Sequence, residues 1–130
     1  MLHILGLGHF HPDNRLDNAF FESLDIGTDE AWITSRVGIL ERRTVLPLDY
    51  IRTTYNQDLR AGEEAALLSN AQTGAKAAEV ALARAGISAS DVGMVIAGGC
   101  SPKHCIPAEA ATVAAQLGLA GGGAPHVVDR

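Results

Sequence analysis

The sequence predicts an α/β fold in which helices connect parallel strands. Its apolar residues make up 47% of the chain and are mostly Ala, Leu, Val and Ile, whereas aromatic residues make up only 5%. Such side chains suit helices packed on a sheet better than a sandwich of aromatic-rich strands. Along the chain the apolar pattern indicates strand, long helix, strand, helix and strand. That order is typical of a parallel βαβ arrangement with right-handed crossovers.

The elements of this arrangement are marked by apolar runs and by the residues that end them. They are a strand at 2–7, a long helix at 63–85, a strand at 92–97, a helix at 107–117 and a strand that begins at 126. Gly8 ends the first strand, and Gly86 ends the long Ala-rich helix because glycine readily takes the left-handed conformation that stops a helix. Pro107 suits the first position of its helix.

Shorter elements are predicted before the long helix. They are a helix at 17–24, a helix at 28–37, an extended segment at 39–46 and a short helix around 49–54 within an otherwise loop-like stretch at 47–62. The second helix is predicted to begin at Thr28, whose hydroxyl accepts a free backbone N–H, with Asp29 and Glu30 at the positive end of the helix dipole. Gly38 ends it.

Composition excludes several classes of function. The net charge is −5 and the densest positive cluster is Arg42-Arg43, so no positive field for a phosphate backbone is expected and nucleic-acid binding is not predicted. No apolar stretch approaches the ~20 residues that a membrane span needs, and no secretory signal pattern opens the chain. With only Cys100 and Cys105, a disulfide framework is not expected, and a reduced cytoplasmic setting is predicted.

Two motifs invite a ligand-binding interpretation that their spacing does not support. Cys100, His104 and Cys105 offer three candidate metal ligands at poor spacing, with no second pair to close a tetrahedral site, so no metal is predicted. Gly6-x-Gly8 after a strand lacks the third glycine of a dinucleotide-binding turn.

Three segments carry a pattern of a known family. The first comprises Thr28, Glu30, Trp32-Ile33, Arg36, Gly38-Ile39 and Arg42-Arg43, with Ala31 between Glu30 and Trp32. The second is the helix that ends Ala85-Gly86-Ile87, followed by Asp91 and the strand Met94 to Ala97; the third is His104-Cys105-Ile106-Pro107, which opens the helix ending Gln116-Leu117-Gly118. In this order they resemble β-ketoacyl-ACP synthase III (ACP, acyl carrier protein) of the thiolase superfamily, over nearly the whole chain.

The resemblance implies a thiolase-like fold, a duplicated mixed sheet sandwiched by helices. Residues 1–130 would supply the N-terminal βαβαβ portion of the first half-domain. In this family a Cys attacks an acyl thioester while a His and an Asn stabilise the condensation step. The resemblance places that Cys shortly after Asp129, beyond Arg130. The chain is therefore expected to be a half-domain truncated before the nucleophile, with no catalytic residue of its own.

The activity that the resemblance implies is that of an acyltransferase. It would perform a decarboxylating or Claisen condensation of acyl thioesters in fatty-acid or specialised acyl-chain biosynthesis. A coenzyme A thioester would serve as substrate, and no cofactor is expected. The implied partners are acyl-CoA, acyl carrier protein and a second subunit in a homodimer or heterodimer.

By the same resemblance, Thr28, Trp32 and Arg36 would form the coenzyme A site. Their i, i+4 spacing places all three on one face of the predicted helix. Trp32 would stack on the adenine, Arg36 would approach the charged end of the ligand, and Thr28 would line the same groove. The alternative is that Trp32 anchors the core and Arg36 is a surface charge.

Two further features carry both a functional and a structural interpretation. Ile106 aligns with an apolar residue that reaches across a dimer interface into the partner's acyl pocket, or it is a core residue beside Pro107. The stretch 47–68 is longer than in compact family members. It would form a lid or rim at the substrate entrance, as long loops often do, or it is a plain surface excursion.

Two other classes of function remain open from the sequence. One is a non-catalytic partner subunit that shapes the pocket of a full-length synthase. The other is an independent α/β module that binds coenzyme A or another nucleotide-containing ligand. In all these cases an incomplete sheet exposes an edge and an apolar layer, so the isolated chain is expected to be poorly soluble or dependent on association.

Overall fold

The computed structural model describes residues 1–99, 103–119 and 126–129. The chain forms two compact units. We call His11–Leu67 the hairpin unit, and Met1–Phe10 together with Leu68–Arg130 the sheet unit. Helices and short strands make up both units, as the α/β prediction requires.

The hairpin unit takes its name from an antiparallel strand pair, whose two strands are connected through two helices. Its elements are β1 (Asn14–Asp17), α1 (Asn18–Glu22), α2 (Glu30–Val37), β2 (Glu41–Thr44), α3 (Leu48–Thr54) and α4 (Leu59–Ala65). Strand β1 pairs with β2 so that Asn14 lies opposite Thr44 and Asp17 opposite Glu41. The extended segment predicted at 39–46 is confirmed as β2, but β1 was not predicted because only Leu16 among its residues favours a strand.

A small apolar core lies under the hairpin. Leu16, Phe20 and Leu24 form its buried centre, with Phe21, Leu48 and Ile51 packed around them. Helix α1 presents Phe20 to this core, and the Asp17 side chain begins the helix by accepting the Phe20 N–H at 2.9 Å. The short helices predicted at 17–24 and 49–54 are therefore confirmed as α1 and α3, with α1 confined to five residues.

The sheet unit joins a parallel strand pair to two helices. Its elements are α5 (Asn70–Ala85), a 3₁₀ turn (Ala89–Asp91), β3 (Met94–Ala97), α6 (Glu109–Gln116) and β4 (His126–Asp129). Strand β3 pairs with β4 in parallel, as predicted. Helix α5 packs on α6, and small buried residues line the two helices: Ala71, Ala75, Ala110 and Ala114.

The long helix predicted at 63–85 is wrong at its start. The structure has two helices there, α4 and α5, separated at Ala66 to Ser69. Ser69 begins α5 through a capping box, because its hydroxyl accepts the Gln72 N–H and the Gln72 side chain accepts the Ser69 N–H. The high helix propensity of the preceding alanines obscured this boundary. Helix α6 likewise begins at Glu109, not at Pro107.

The strand predicted at 2–7 is also wrong within the described chain. This segment pairs with no strand there and instead lies along α5. A Cβ on Gly6 would collide with the Ala81 carbonyl oxygen, and one on Gly8 with that of Ala77. The Arg84 guanidinium donates to the Leu7 carbonyl at 2.8 Å. The two glycines therefore serve a close approach of backbone to helix.

No helix among residues 1–99, 103–119 and 126–129 has the length and apolarity needed to cross a bilayer.

Candidate functional site

Helix α2 holds two of the three residues predicted to form the coenzyme A site. It begins at Glu30, because the Asp29 carboxylate accepts the Trp32 N–H at 2.6 Å. It ends at Gly38, whose φ of 71° lets its N–H reach back to the last turn. The prediction that Thr28 begins the helix is wrong. Asp29 is the better acceptor at this position, so Thr28 lies on the approach to the helix.

Of the three residues predicted to share one helix face, Thr28, Trp32 and Arg36, only the last two lie on the helix. Trp32 and Arg36 lie one turn apart on α2, while Thr28 precedes it. The Thr28 hydroxyl oxygen is buried and has no hydrogen-bond partner among the described residues. A buried hydroxyl left in this way costs about 1–3 kcal/mol.

Trp32 is not a core residue of the described chain. Its side chain is 54% exposed, and Ile33 takes the buried position of α2 instead. An exposed indole on a helix presents a flat surface for stacking. Arg36 is also exposed and forms no ion pair with any described residue. The helix thus offers a free aromatic face and a free cation one turn apart.

A buried asparagine connects α2 to the rest of the hairpin unit. Asn18 is 1% exposed, and its amide nitrogen donates to Thr34 Oγ1 at 3.2 Å and to the Ile39 carbonyl at 2.9 Å. Its amide oxygen accepts from Arg42 Nη1 at 2.9 Å. Sequence reasoning missed this residue. The available signal was a single polar side chain midway between two apolar ones, Leu16 and Phe20.

Ion pairs lie on the surface of the strand pair, and one of them joins β1 to β2. Arg15 contacts Asp17 at 3.2 Å and Glu41 at 3.3 Å, and Arg43 contacts Glu41 at 3.6 Å. The pKa of Asp17 lies below its ordinary value, mainly because the carboxylate accepts the Phe20 N–H and also because Arg15 bonds to it. This cluster is exposed and stabilises local structure without forming a site.

The stretch 47–68 is an ordered helical pair. Leu48 and Ile51 of α3 pack on the core, and the Arg52 guanidinium lies 4.9 Å from the centroid of the Phe20 ring. The Leu67 N–H donates to the Val45 carbonyl at 2.9 Å, which ties the end of the segment to the residues just before its start. The expectation of a mostly loop-like stretch is therefore wrong. Its role as a lid or rim stays a prediction.

Ile106 is 90% exposed, so its interpretation as a core residue is wrong within the described chain. Its place in a dimer interface or acyl pocket stays a prediction. Cys105 is a free, exposed thiol, and Cys100 lies outside the described residues. No group of three or more metal-binding side chains occurs in the part of the chain that the structure describes.

A mostly apolar cavity lies in the sheet unit. It measures about 830 Å³ and lies between α5, β3 and α6. Its lining includes Ala78, Leu82, Val95 and Val113, with Glu109 at its margin. Asn70 and Thr73 also line it, so the lining is apolar with a few polar groups.

Comparison with known proteins places this architecture in a defined class. The chain matches no protein-family model. A crystal structure of 3-oxoacyl-acyl-carrier-protein synthase III from Aquifex aeolicus superposes with a TM-score of 0.74 at 28% identity, covering 98% of this chain and 33% of that one. The thiolase-like fold predicted from the sequence is thereby confirmed.

Sequence relatives carry the same resemblance. The beta-ketoacyl-acyl-carrier-protein synthase III 1 of Deinococcus radiodurans is 37% identical over 124 residues, 93% of this chain and 30% of the relative. The synthase III of Alkalilimnicola ehrlichii is 34% identical over 116 residues, 89% of this chain and 30% of the relative. The chain is β-ketoacyl-ACP synthase III-like, as its sequence predicted. It spans about a third of the length of these relatives.

Proposed function

We propose that the chain contributes the substrate-binding N-terminal portion of a β-ketoacyl-ACP synthase III-type acyltransferase. The proposed reaction is a decarboxylating or Claisen condensation of acyl thioesters in fatty-acid or specialised acyl-chain biosynthesis. None of the described residues is assigned a catalytic role. The observation that carries the proposal is the free face of α2, on which exposed Trp32 and unpaired Arg36 lie one turn apart.

The chemistry of this face suits the nucleotide end of coenzyme A. The Trp32 indole offers its face to the adenine ring, and base–aromatic stacking contributes about 1–3 kcal/mol per base. The Arg36 guanidinium offers charge-assisted hydrogen bonds to phosphate. Thr28, just before the start of the helix, is proposed to line the same groove. Coenzyme A enters as the carrier of the acyl substrate and is not a resident cofactor.

The remaining assignments follow from the relatives and are part of the same proposal. The names of those relatives include acyl carrier protein, and we propose acyl-CoA and acyl carrier protein as the two thioester substrates. We further propose a homodimer or heterodimer, with Ile106 in the interface or acyl pocket, and a cytoplasmic location. The 90% exposure of Ile106 supports a contact with another subunit.

Fluorescence tests the coenzyme A site directly, because Trp32 is the single tryptophan of the chain. We expect saturable quenching by coenzyme A, and about tenfold weaker binding by calorimetry after Trp32→Phe, since a smaller ring stacks less well. Arg36→Gln is expected to weaken binding and to flatten its dependence on salt.

Ligand fragments and a control variant sharpen this test. Adenosine 3′,5′-bisphosphate should compete with coenzyme A, whereas pantetheine should not, because only the former carries the adenine and phosphates. Tyr55→Ala removes an exposed aromatic side chain of the same unit and should leave binding unchanged. Absence of quenching and of heat with the unaltered chain would refute the assignment.

The exposed apolar residues of the sheet unit favour a second candidate function, that of a non-catalytic partner subunit. Ile96 of β3, Ile106 and Leu5 are all exposed in the described chain. Native mass spectrometry of the chain mixed with a full-length synthase from the same cells would show a stable heteromer for a partner subunit. The absence of a heteromer would count against the partner-subunit function.

A further inference from the structure

We propose that Asn18 is the positioning residue of the candidate site: it fixes the end of α2 and thereby the placement of Trp32 and Arg36. The inference rests on the proposed function insofar as it concerns coenzyme A. Asn18 is the most deeply buried polar side chain in the described chain, and three hydrogen bonds satisfy its amide. It touches none of the proposed ligand-binding residues and would act only through the helix.

The two donated bonds hold α2 on both sides of its end. Thr34 lies in the last turn, and Ile39 follows Gly38, which ends the helix. Arg36 lies between these two anchors in sequence, and Trp32 lies one turn earlier. Because a short helix moves as a rigid body, the position of its end sets the direction in which both side chains project.

Arg42 determines which way the asparagine amide faces. A guanidinium only donates hydrogen bonds and a peptide carbonyl only accepts them. The amide oxygen must therefore face Arg42, which leaves the amide nitrogen for Thr34 and the Ile39 carbonyl. Arg42 is itself placed by its contact with the Phe21 ring, 4.9 Å from the ring centroid. A positively or a negatively charged side chain at position 18 cannot bond to all three partners. An asparagine amide turned the other way cannot do so either.

The other end of α2 is held less specifically. Ile33 packs in the interior without directional bonds, and the Glu30 N–H donates to the Glu22 carboxylate at 3.3 Å in an exposed position. Loss of Asn18 would leave α2 attached by non-directional apolar packing and by the exposed bond from Glu30 to Glu22 at its start. The helix would then remain folded but sample a range of tilts.

Three variants of the full chain test this role. Asn18→Ala removes all three bonds. Asn18→Asp keeps an acceptor for Arg42 but places a carboxylate against the Ile39 carbonyl. This variant therefore distinguishes a loss of stability from a loss of helix placement. Leu48→Ala is the matched control, because Leu48 packs on the core of the same unit and has no bond to α2.

Two measurements are made on each variant. Amide hydrogen exchange without ligand should show about tenfold faster exchange at the end of α2, around residues 36–39, in both Asn18 variants but not in Leu48→Ala. Titration with coenzyme A should show about tenfold weaker binding in both Asn18 variants, and less than about twofold change in Leu48→Ala at a comparable loss of melting temperature.

The outcomes separate this inference from the proposed function. Equal loosening of α2 in Asn18→Ala and Leu48→Ala, or unchanged coenzyme A binding in the Asn18 variants, would overturn the positioning role. If the unaltered chain binds no coenzyme A, the proposed function fails, and the exchange data still decide whether Asn18 holds α2. If Asn18→Ala does not fold, Thr34→Val removes one of the two anchors from the exposed side, and about two- to threefold weaker binding is then expected.

Discussion

The hairpin unit and the sheet unit reach order by different means. In the hairpin unit a few large apolar side chains around Phe20 form a core, and a buried asparagine with its partners fixes the neighbouring helix. In the sheet unit, small residues such as Ala75 and Ala110 pack α5 on α6, while large apolar residues such as Ile96 stay exposed. Specific polar contacts thus shape the unit with the candidate binding helix, and small side chains set the helix packing of the other unit. Both units leave large apolar side chains exposed, Leu59 in the first and Ile96 in the second.

The largest effect is expected from the core of the hairpin unit. Phe20→Ala removes a buried ring together with its contact to Arg52, and should destabilise the unit by about 3–5 kcal/mol. Urea unfolding followed by Trp32 fluorescence measures the change in that unit. Tyr55→Ala, which truncates an exposed ring, should change the free energy of unfolding by less than about 0.5 kcal/mol. Equal effects of the two variants would mean that Phe20 is not the centre of the core.

A change of the opposite kind tests the close packing of the sheet unit. Ala110 is 0% exposed, so Ala110→Leu forces α6 or its neighbours to move and should cost about 1–3 kcal/mol. Amide exchange in α5 and α6 measures the loss. Ala115→Leu adds the same atoms on an exposed position of α6 and should be nearly neutral. If Ala110→Leu is tolerated as well as Ala115→Leu, the two helices are not tightly packed.

The apolar surface of the sheet unit should drive association of the chain. Ile96→Lys places a charge on exposed β3 and should weaken self-association by about tenfold, measured by sedimentation equilibrium. Leu59→Lys alters an apolar residue of the hairpin unit that is at least as exposed, and it serves as the control. Equal weakening by both variants would show that the contrast between the units does not govern association.

The smallest effect is expected from the exposed ion pairs of the hairpin. Because the folded-state pKa of Asp17 is lowered, its contribution to stability is present above the ordinary value of 3.8 and is lost as the pH falls through the folded-state pKa. Thermal melts between neutral and acidic pH should show this small loss, and Asp17→Asn should remove that part of the pH dependence. An unchanged acid profile in Asp17→Asn would assign the loss to other carboxylates.

Local signals in the sequence were sufficient for several elements of the fold and for part of the site. Acidic residues at the start of α2 and Gly38 at its end predict that helix, and the pattern around Trp32 predicts the family. The predicted first residue of α2 was wrong because Thr28 and Asp29 are both good helix-capping residues, and sequence alone does not choose between them. The boundary at Ser69 was missed although its capping box is present, because the adjacent alanines favour helix on both sides.

The sequence by itself determined the α/β class, most of the helices and the family resemblance, because propensities, helix-ending residues and motif spacing act over a few neighbouring positions. Only the tertiary structure decided that residues 2–7 lie along α5, that Trp32 is exposed, and that Asn18 joins α1, α2 and β2. These depend on groups far apart in the chain. The hydrogen bonds of a buried amide are made only with partners that folding brings to it, so no local sequence pattern predicts its role.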